Sequence, residues 1–232
     1  MSSPEYGPSF SAFIFDVGDI LYDATGWRRA VTAWLQERNV DVDYPQLCER
    51  WERRLVPVYI GKQEYWQAFH GLLEEFGLSP RQCDDGIKHG RELARRAESR
   101  QLFPHVLDTL AALADANVPL GVLSDTESTE AEVRSRLDRL GVGRFFSAII
   151  TSRDVGFVKP EREAYECALT ALGARAQHSA FVGHDLDELE GAVAAGLSAI
   201  AFNSSVRGAD YIAIETFDEL IRFAILQKPA AL

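Results

Sequence analysis

Five short apolar runs constrain this chain more than any other feature: Ala12–Phe15, Leu120–Leu123, Ala148–Ile150, Ala180–Val182 and Ala199–Phe202. Each is too short for a helix and apolar on both faces. A strand with one wet face alternates polar and apolar residues, so these runs read as strands buried inside a parallel sheet. Amphipathic patterns lie between the later ones. Val106, Leu107, Leu110 and Leu113 follow Pro104; Ala164, Ala168, Leu169 and Leu172 follow Pro160 and stop at Gly173; Leu186, Leu189 and Val193 run toward Gly196. Proline near a helix start and glycine just past its end are punctuation with a steric cause. Alternating strands and helices of this kind predict an α/β fold, a doubly wound parallel (Rossmann-like) sheet with right-handed crossovers. Gly141-Val142-Gly143 follows a helix, so it reads as a C-cap and not as a dinucleotide loop.

Residues 23–100 break the alternation. They carry helical patterns only: Val31, Trp34 and Leu35; Leu47, Trp51 and Leu55; then Trp66, Phe69, Leu72, Leu73 and Phe76 up to Gly77. The expected organisation is a core formed by 1–22 and 101–232, with 23–100 as an inserted helical-bundle cap. A chain of 232 residues, 47% hydrophobic, can bury a core of that size with a smaller unit beside it.

Charge narrows the partners. Acidic side chains outnumber basic ones 35 to 24, and the net charge is -11. That balance repels nucleic acid and anionic membranes. The densest basic cluster, Arg91, Arg95, Arg96 and Arg100, is diluted by Glu92 and Glu98 and reads as a solvated helix face. Cys48, Cys83 and Cys167 lie far apart in no metal spacing, which points to a reducing compartment. No basic start followed by an apolar run opens the chain, and no apolar stretch reaches membrane-spanning length. The expectation is a cytoplasmic protein whose partner is a small molecule.

Open parallel sheets bind ligands beyond the carboxyl ends of their strands. The polar residues there are Asp16 after the first run, Ser124-Asp125 after the second and Gly183-His184-Asp185 after the fourth, with Lys159 just before the helix expected to open at Pro160. Carboxylates, a hydroxyl, a lysine and helix N-termini at one edge suit a phosphate with a divalent cation. Blander roles exist for each. Asp125 could N-cap a helix beginning near Glu127, and Lys159 alone would pass for a surface lysine. A carboxylate between Phe15 and Val17 is costly without a partner, so Asp16 is the firmest of the set. His70, His89, His105 and His178 have no metal spacing.

These stretches resemble the haloacid dehalogenase superfamily of phosphotransferases. Phe15-Asp16-Val17-Gly18-Asp19-Ile20-Leu21 looks like the first motif, Leu123-Ser124-Asp125 the second, Val158-Lys159-Pro160 with Tyr165 the third, and Phe181-Val182-Gly183-His184-Asp185 with Glu188, Glu190, Gly191 and Ala192 the acidic fourth. The insertion falls where the family's C1-type cap belongs. The resemblance implies a phosphatase with Asp16 as nucleophile, Ser124, Asp125 and Lys159 around the phosphate, and Mg²⁺ held by Asp16, the Gly18 carbonyl and Asp185. In the cap, Trp27, Arg28, Arg29, Tyr59, Lys62 and Tyr65 are the candidates to face substrate, although bundle core or solvent is the commoner fate of such residues.

Two positions depart from the pattern. Gly18 stands where the family's phosphatases carry a second aspartate as general acid and base, a function worth roughly 10²–10⁴ in rate, or about 3–5 kcal/mol. Asp19 or a cap residue is the possible substitute. His184 stands where the family places a metal carboxylate; Asp185, Asp187 and Glu188 follow within a turn, and a hard cation prefers their oxygens. Two other readings follow: a catalytically weakened binding protein on the same fold, or a metal-free 2-haloacid dehalogenase. The latter is disfavoured because those enzymes carry tyrosine where Gly18 stands.

Overall fold

The structure, a computed structural model, describes residues 8–96 and 101–224. Six parallel strands form one sheet in the order β3-β2-β1-β4-β5-β6: β1 Ala12–Phe15, β2 Leu120–Ser124, β3 Ala148–Thr151, β4 Ser179–Gly183, β5 Ser198–Ala201 and β6 Tyr211–Ala213. Phe15 pairs with Val122 on one side and Val182 on the other, so β1 lies in the middle with its carboxyl end at the point where the winding reverses.

The apolar runs behave as two-sided strands. Phe13, Phe15, Val122 and Val182 enter one core, shared with Val106, Leu110 and Leu113 of α5 (Val106–Asp115) and Val133 and Leu137 of α6 (Glu130–Arg139). Ile14, Leu123 and Phe181 point to the other face, against Ala164, Tyr165 and Ala168 of α8 (Arg162–Leu172) and Leu189 and Ala192 of α9 (Leu186–Ala194). Leu107, Leu186 and Val193, expected on buried faces, are exposed, and in α9 small residues take the buried stripe instead. The edge strand β6 was not anticipated. Its three residues are only partly covered and show no strand period.

Four helices interrupt the core: α1 Gly26–Gln36, α2 Tyr44–Tyr59, α3 Tyr65–Glu75 and α4 Pro80–Arg96. They enclose a separate core of Trp34, Leu35, Leu47, Trp51, Phe69 and Leu72 among others. The fourth helix lacks an apolar period. It buries Cys83, Gly86 and Gly90, and a Cβ at Gly86 would meet Leu73 at 2.6 Å, so bare backbone lets α4 close on α3. Arg91, Arg95 and Arg96 are exposed on this helix, as expected; Arg100 lies outside the described residues. The two crossings between core and helices run side by side. Tyr22 bridges Leu102, and the Phe103 N–H donates to the Leu21 carbonyl at 2.9 Å.

A second tie joins helices to core. Ser152, fully buried at the start of α7 (Ser152–Val155), accepts from the Thr126 N–H at 2.9 Å, and its oxygen lies 3.2 Å from the carbonyls of Thr126 and of Tyr59 at the end of α2. Ser152→Ala strands a buried N–H and removes a donor, which is expected to cost about 1–3 kcal/mol. Urea unfolding should show a lower midpoint at unchanged slope; an unshifted midpoint would show that the hydroxyl carries nothing.

Candidate active site

Strand ends assemble the site. Asp16 follows the last residue of β1, its N–H held by the Val182 carbonyl at 3.0 Å. Ser124 ends β2. From the loop before α8, Lys159 reaches in beneath both. Its Nζ donates to Asp16 Oδ1 at 2.5 Å and lies 3.1 Å from Glu188 Oε1, with the side chain only 1% exposed. The Phe181 ring floors this contact, 5.6 Å from the ammonium.

Lys159 is fixed at its backbone too. Its N–H donates to the Asp125 carboxylate, at 3.0 Å to Oδ2. Asp125 does not take the blander capping role open to it: α6 begins at Glu130, after Thr129, whose N–H is met by Glu132 at 2.8 Å. Asp125 ties the second stretch to the third instead. Nor does α8 open at Pro160. It opens at Arg162, because the Glu161 carboxylate accepts the Val158 N–H at 2.9 Å and holds a turn before the helix begins.

Burial by itself would push the Lys159 pKa down, but the carboxylates of Asp16, Glu188 and Asp125 outweigh it and hold the ammonium well above its ordinary value. Burial pushes Asp125 up to about 6 against the pull of Lys159. Glu188 is also raised, by burial first, with Asp16 and Asp125 adding their repulsion. Three carboxylates thus surround one ammonium, and Glu188 Oε2 is buried with no hydrogen-bond partner.

A cavity of about 740 Å³ opens over this group, lined by Asp16, Gly18, Ser124, Asp125, Lys159 and Asp185. All six residues expected from the sequence therefore meet at one place. His184 and Glu188 join them, His184 Nε2 lying 4.0 Å from Asp16 Oδ2. Asp187 is exposed and not part of the wall. Glu188 is the residue the sequence reading underweighted: it sits one helical turn after Asp185, on the side of α9 that meets the strand ends. Asp19, the possible substitute for the aspartate missing at Gly18, also lines the cavity; its Oδ1 accepts the Ala24 N–H at 2.8 Å, and its backbone takes φ 57° in the turn leaving β1. Of the cap candidates, Trp27, Arg28, Tyr59 and Tyr65 line the cavity; Arg29 instead lies over the Tyr44 ring at 4.6 Å, and Lys62 is also off the wall.

The donor set for a cation is sparse. Among the described residues no cluster of three or more His, Cys, Asp or Glu side chains could hold a metal. What the cavity offers is the Asp16 carboxylate, the Gly18 carbonyl and Asp185, with an unpartnered oxygen on Glu188 and a local excess of negative charge. That suits an ion which keeps most of its waters and borrows substrate oxygens, the habit of Mg²⁺.

Fold and site together define a doubly wound α/β enzyme with an aspartate–lysine centre under a helical insertion. The model of the haloacid dehalogenase-like hydrolases matches residues 10–196. The chain belongs to that family of hydrolases. It is 29% identical over 204 residues to a glyceraldehyde 3-phosphate phosphatase of Methanothermobacter thermautotrophicus, covering 86% of this chain and 88% of the relative. A ribulose-1,5-bisphosphate 5-phosphatase of Halopiger xanaduensis is 27% identical over 206 residues, covering 84% and 85%. The magnesium-bound crystal structure of YfnB from Bacillus subtilis superposes with a TM-score of 0.69 at 20% identity, over 91% of this chain and 97% of that one. No helix among the described residues is long and apolar enough to cross a membrane.

Removing the ammonium tests the site's energetics. Lys159→Met leaves Asp16 and Glu188 facing each other without a cation, and urea unfolding should show a loss of roughly 3–5 kcal/mol. Adding Glu188→Gln should recover part of that loss, since the two side chains share one interaction. Strictly additive losses would mean that the pair is not coupled.

Proposed function

We propose that this chain is a Mg²⁺-dependent phosphatase of a small phosphorylated metabolite, working through an aspartyl-phosphate on Asp16. One observation carries the reading: the Asp16 carboxylate, 2.5 Å from a fully enclosed lysine, lies at the floor of a cavity that also takes in Ser124. Phosphatase-named relatives of nearly full length support it. We also propose the division of labour in the chain, with 1–22 and 101–232 as catalytic core and 23–100 as the cap that closes the cavity. Free thiols at all three cysteines support the cytoplasmic assignment.

Lys159 engages Asp16 Oδ1, which leaves Oδ2 as the nucleophile. As Oδ2 forms its bond to phosphorus, the ester P–O bond breaks and the leaving oxygen departs as an alcohol once it gains a proton. Water then attacks phosphorus, releases inorganic phosphate and regenerates the carboxylate. Lys159 and the Ser124 hydroxyl hold phosphate oxygens through both displacements, and Asp125 keeps Lys159 in place by its backbone N–H. Such transfers depend mainly on positioning and charge neutralisation. Asp16, the Gly18 carbonyl and Asp185 would hold Mg²⁺, which supplies positive charge against the transferring phosphoryl group. Gly18 offers no side-chain acid to the leaving oxygen, so esters with poor leaving groups should suffer most.

With p-nitrophenyl phosphate and Mg²⁺, wild-type protein should release nitrophenol, whereas Asp16→Asn and EDTA-treated wild type should fall to background. Equal release by wild type and Asp16→Asn would end the enzyme assignment, and full activity in EDTA would end the Mg²⁺ requirement. Gly18→Asp is expected to speed hydrolysis of alkyl phosphates by about tenfold or more, less than the full value of a positioned acid, because a Cβ there would press on Ala24 at 3.2 Å. No gain would mean that proton transfer is not limiting.

A further inference from the structure

The departing ester oxygen needs a proton, and the cavity floor is poorly equipped to give one. Gly18 has no side chain for it, Lys159 is held by Asp16 and Glu188, and Asp19 Oδ1 is taken up by the Ala24 N–H. Hydroxyls stand elsewhere in the wall. Four tyrosines line the cavity: Tyr22, Tyr44, Tyr59 and Tyr65. Tyr22 lies at the crossing into the cap, and Tyr44 shares a hydrogen bond with Cys48 while Arg29 covers its ring. Tyr65 packs edge-on against Trp27, Trp51 and Trp66. Tyr59 differs. Among the described residues, no protein atom is hydrogen-bonded to its hydroxyl, and that oxygen is not one of the enclosed, unpartnered atoms.

The core fixes where Tyr59 stands. It ends α2, and its carbonyl lies 3.2 Å from the buried Ser152 oxygen that also takes the Thr126 N–H, two residues after Ser124. The Tyr59 backbone is thereby clamped beside the loop that starts at Ser124. Its phenol lines the cavity and comes under the charges of Asp125, Glu127 and Lys159 from the core and of Arg28 from α1. Burial raises the phenol pKa above its ordinary value, with Glu127 and Asp125 adding to it against the pull of Arg28 and Lys159. The proton therefore stays on oxygen. A tyrosine hydroxyl in such surroundings usually finds an acceptor; here the protein supplies none.

We propose that Tyr59 is the proton donor to the leaving oxygen, taking from the cap side the part for which Gly18 has no side chain. The inference rests on the phosphatase reading and adds a catalytic residue to it. As Asp16 Oδ2 bonds to phosphorus, the ester P–O bond breaks and its electron pair goes to the leaving oxygen. That oxygen takes the Tyr59 proton and departs as the alcohol. The phenolate left behind is answered by Arg28 and Lys159. In the second displacement, water bonds to phosphorus, the P–O bond to Asp16 breaks, and a proton of that water returns to Tyr59. A tightly held phenol proton still passes to an alkoxide, which is the stronger base, so the gain falls on esters of ordinary alcohols.

The test sets benzyl phosphate, whose alkoxide needs a proton, beside p-nitrophenyl phosphate, whose nitrophenolate leaves without one. It reads kcat/KM with Mg²⁺ present. In Tyr59→Phe the benzyl-to-nitrophenyl ratio should fall by about tenfold or more, short of the full value of a positioned acid because the phenol holds its proton tightly. Adding Gly18→Asp to Tyr59→Phe should restore the ratio, and by a larger factor than Gly18→Asp raises it in wild type, because the two acids serve one oxygen. A merely structural role for Tyr59 would lower both substrates alike. Equal losses on the two substrates or no loss on either overturns the inference, as does a ratio that falls in Asp19→Asn but not in Tyr59→Phe. Hydrolysis of p-nitrophenyl phosphate by wild type separates the two levels. If it occurs and the ratio holds in Tyr59→Phe, only the role of Tyr59 falls; if it does not occur, the phosphatase reading falls and takes this inference with it.

Discussion

Lys159 reaches the cavity floor almost wholly enclosed, and it can do so because Asp16 at the end of β1 and Glu188 in the first turn of α9 both meet its ammonium. Taking such an ion out of water costs several kcal/mol even after relaxation. Only carboxylates at hydrogen-bond distance offset that cost. Those carboxylates belong to stretches that the chain separates by 143 and 29 positions, so the contact exists only when β1, the loop before α8 and α9 are all in register. Folding and site assembly are therefore one event at this point. The parallel sheet makes it possible, because every strand delivers its last residue to the same edge.

The same contact leaves the site short of positive charge. One ammonium faces Asp16, Glu188 and Asp125, and one oxygen of Glu188 has no partner. An incoming phosphate would add further negative charge to this group. The arrangement is stable without substrate but poorly suited to bind it unaided, which is the physical case for a divalent cation at a site with few ligands of its own. Gly18 and His184 do not undo this. Glycine still presents a carbonyl, and the acidic side chains nearby remain within the same cavity.

How much of this was legible in the sequence depends on whether a residue's role was set locally or by distant partners. The five buried strands were readable because a strand covered on both faces must be apolar on both faces. Asp16 and Ser124 were readable as strand-end polar residues in a fold that binds ligands there, and Lys159 as a lysine just before a helix at the same edge. Four things were not. The fourth cap helix showed only its charged face at Arg91, Arg95 and Arg96; its buried stripe hid because it is cysteine and glycine, which leave no apolar period. The role of Asp125 hid because its partner is a backbone N–H 34 positions away. Glu188 was visible as part of an acidic motif, but its selection over Asp187 depends on which side of α9 faces Lys159, a matter of packing. The edge strand β6 hid for a simpler reason: three half-covered residues are too few to show a period.

The helical insertion matters to the chemistry through the dielectric as well as through contacts. Charged groups on the cavity floor would act on phosphate more strongly the less water reaches them, and α1, α2 and α3 supply much of the cavity lining. That wall is joined to the core at the paired crossings Tyr22–Leu102 and at Ser152, whose oxygen contacts both the Tyr59 carbonyl and the loop carrying Ser124 and Asp125. A shift of α2 thus reaches the loop that follows Ser124 and Asp125 through one buried hydroxyl.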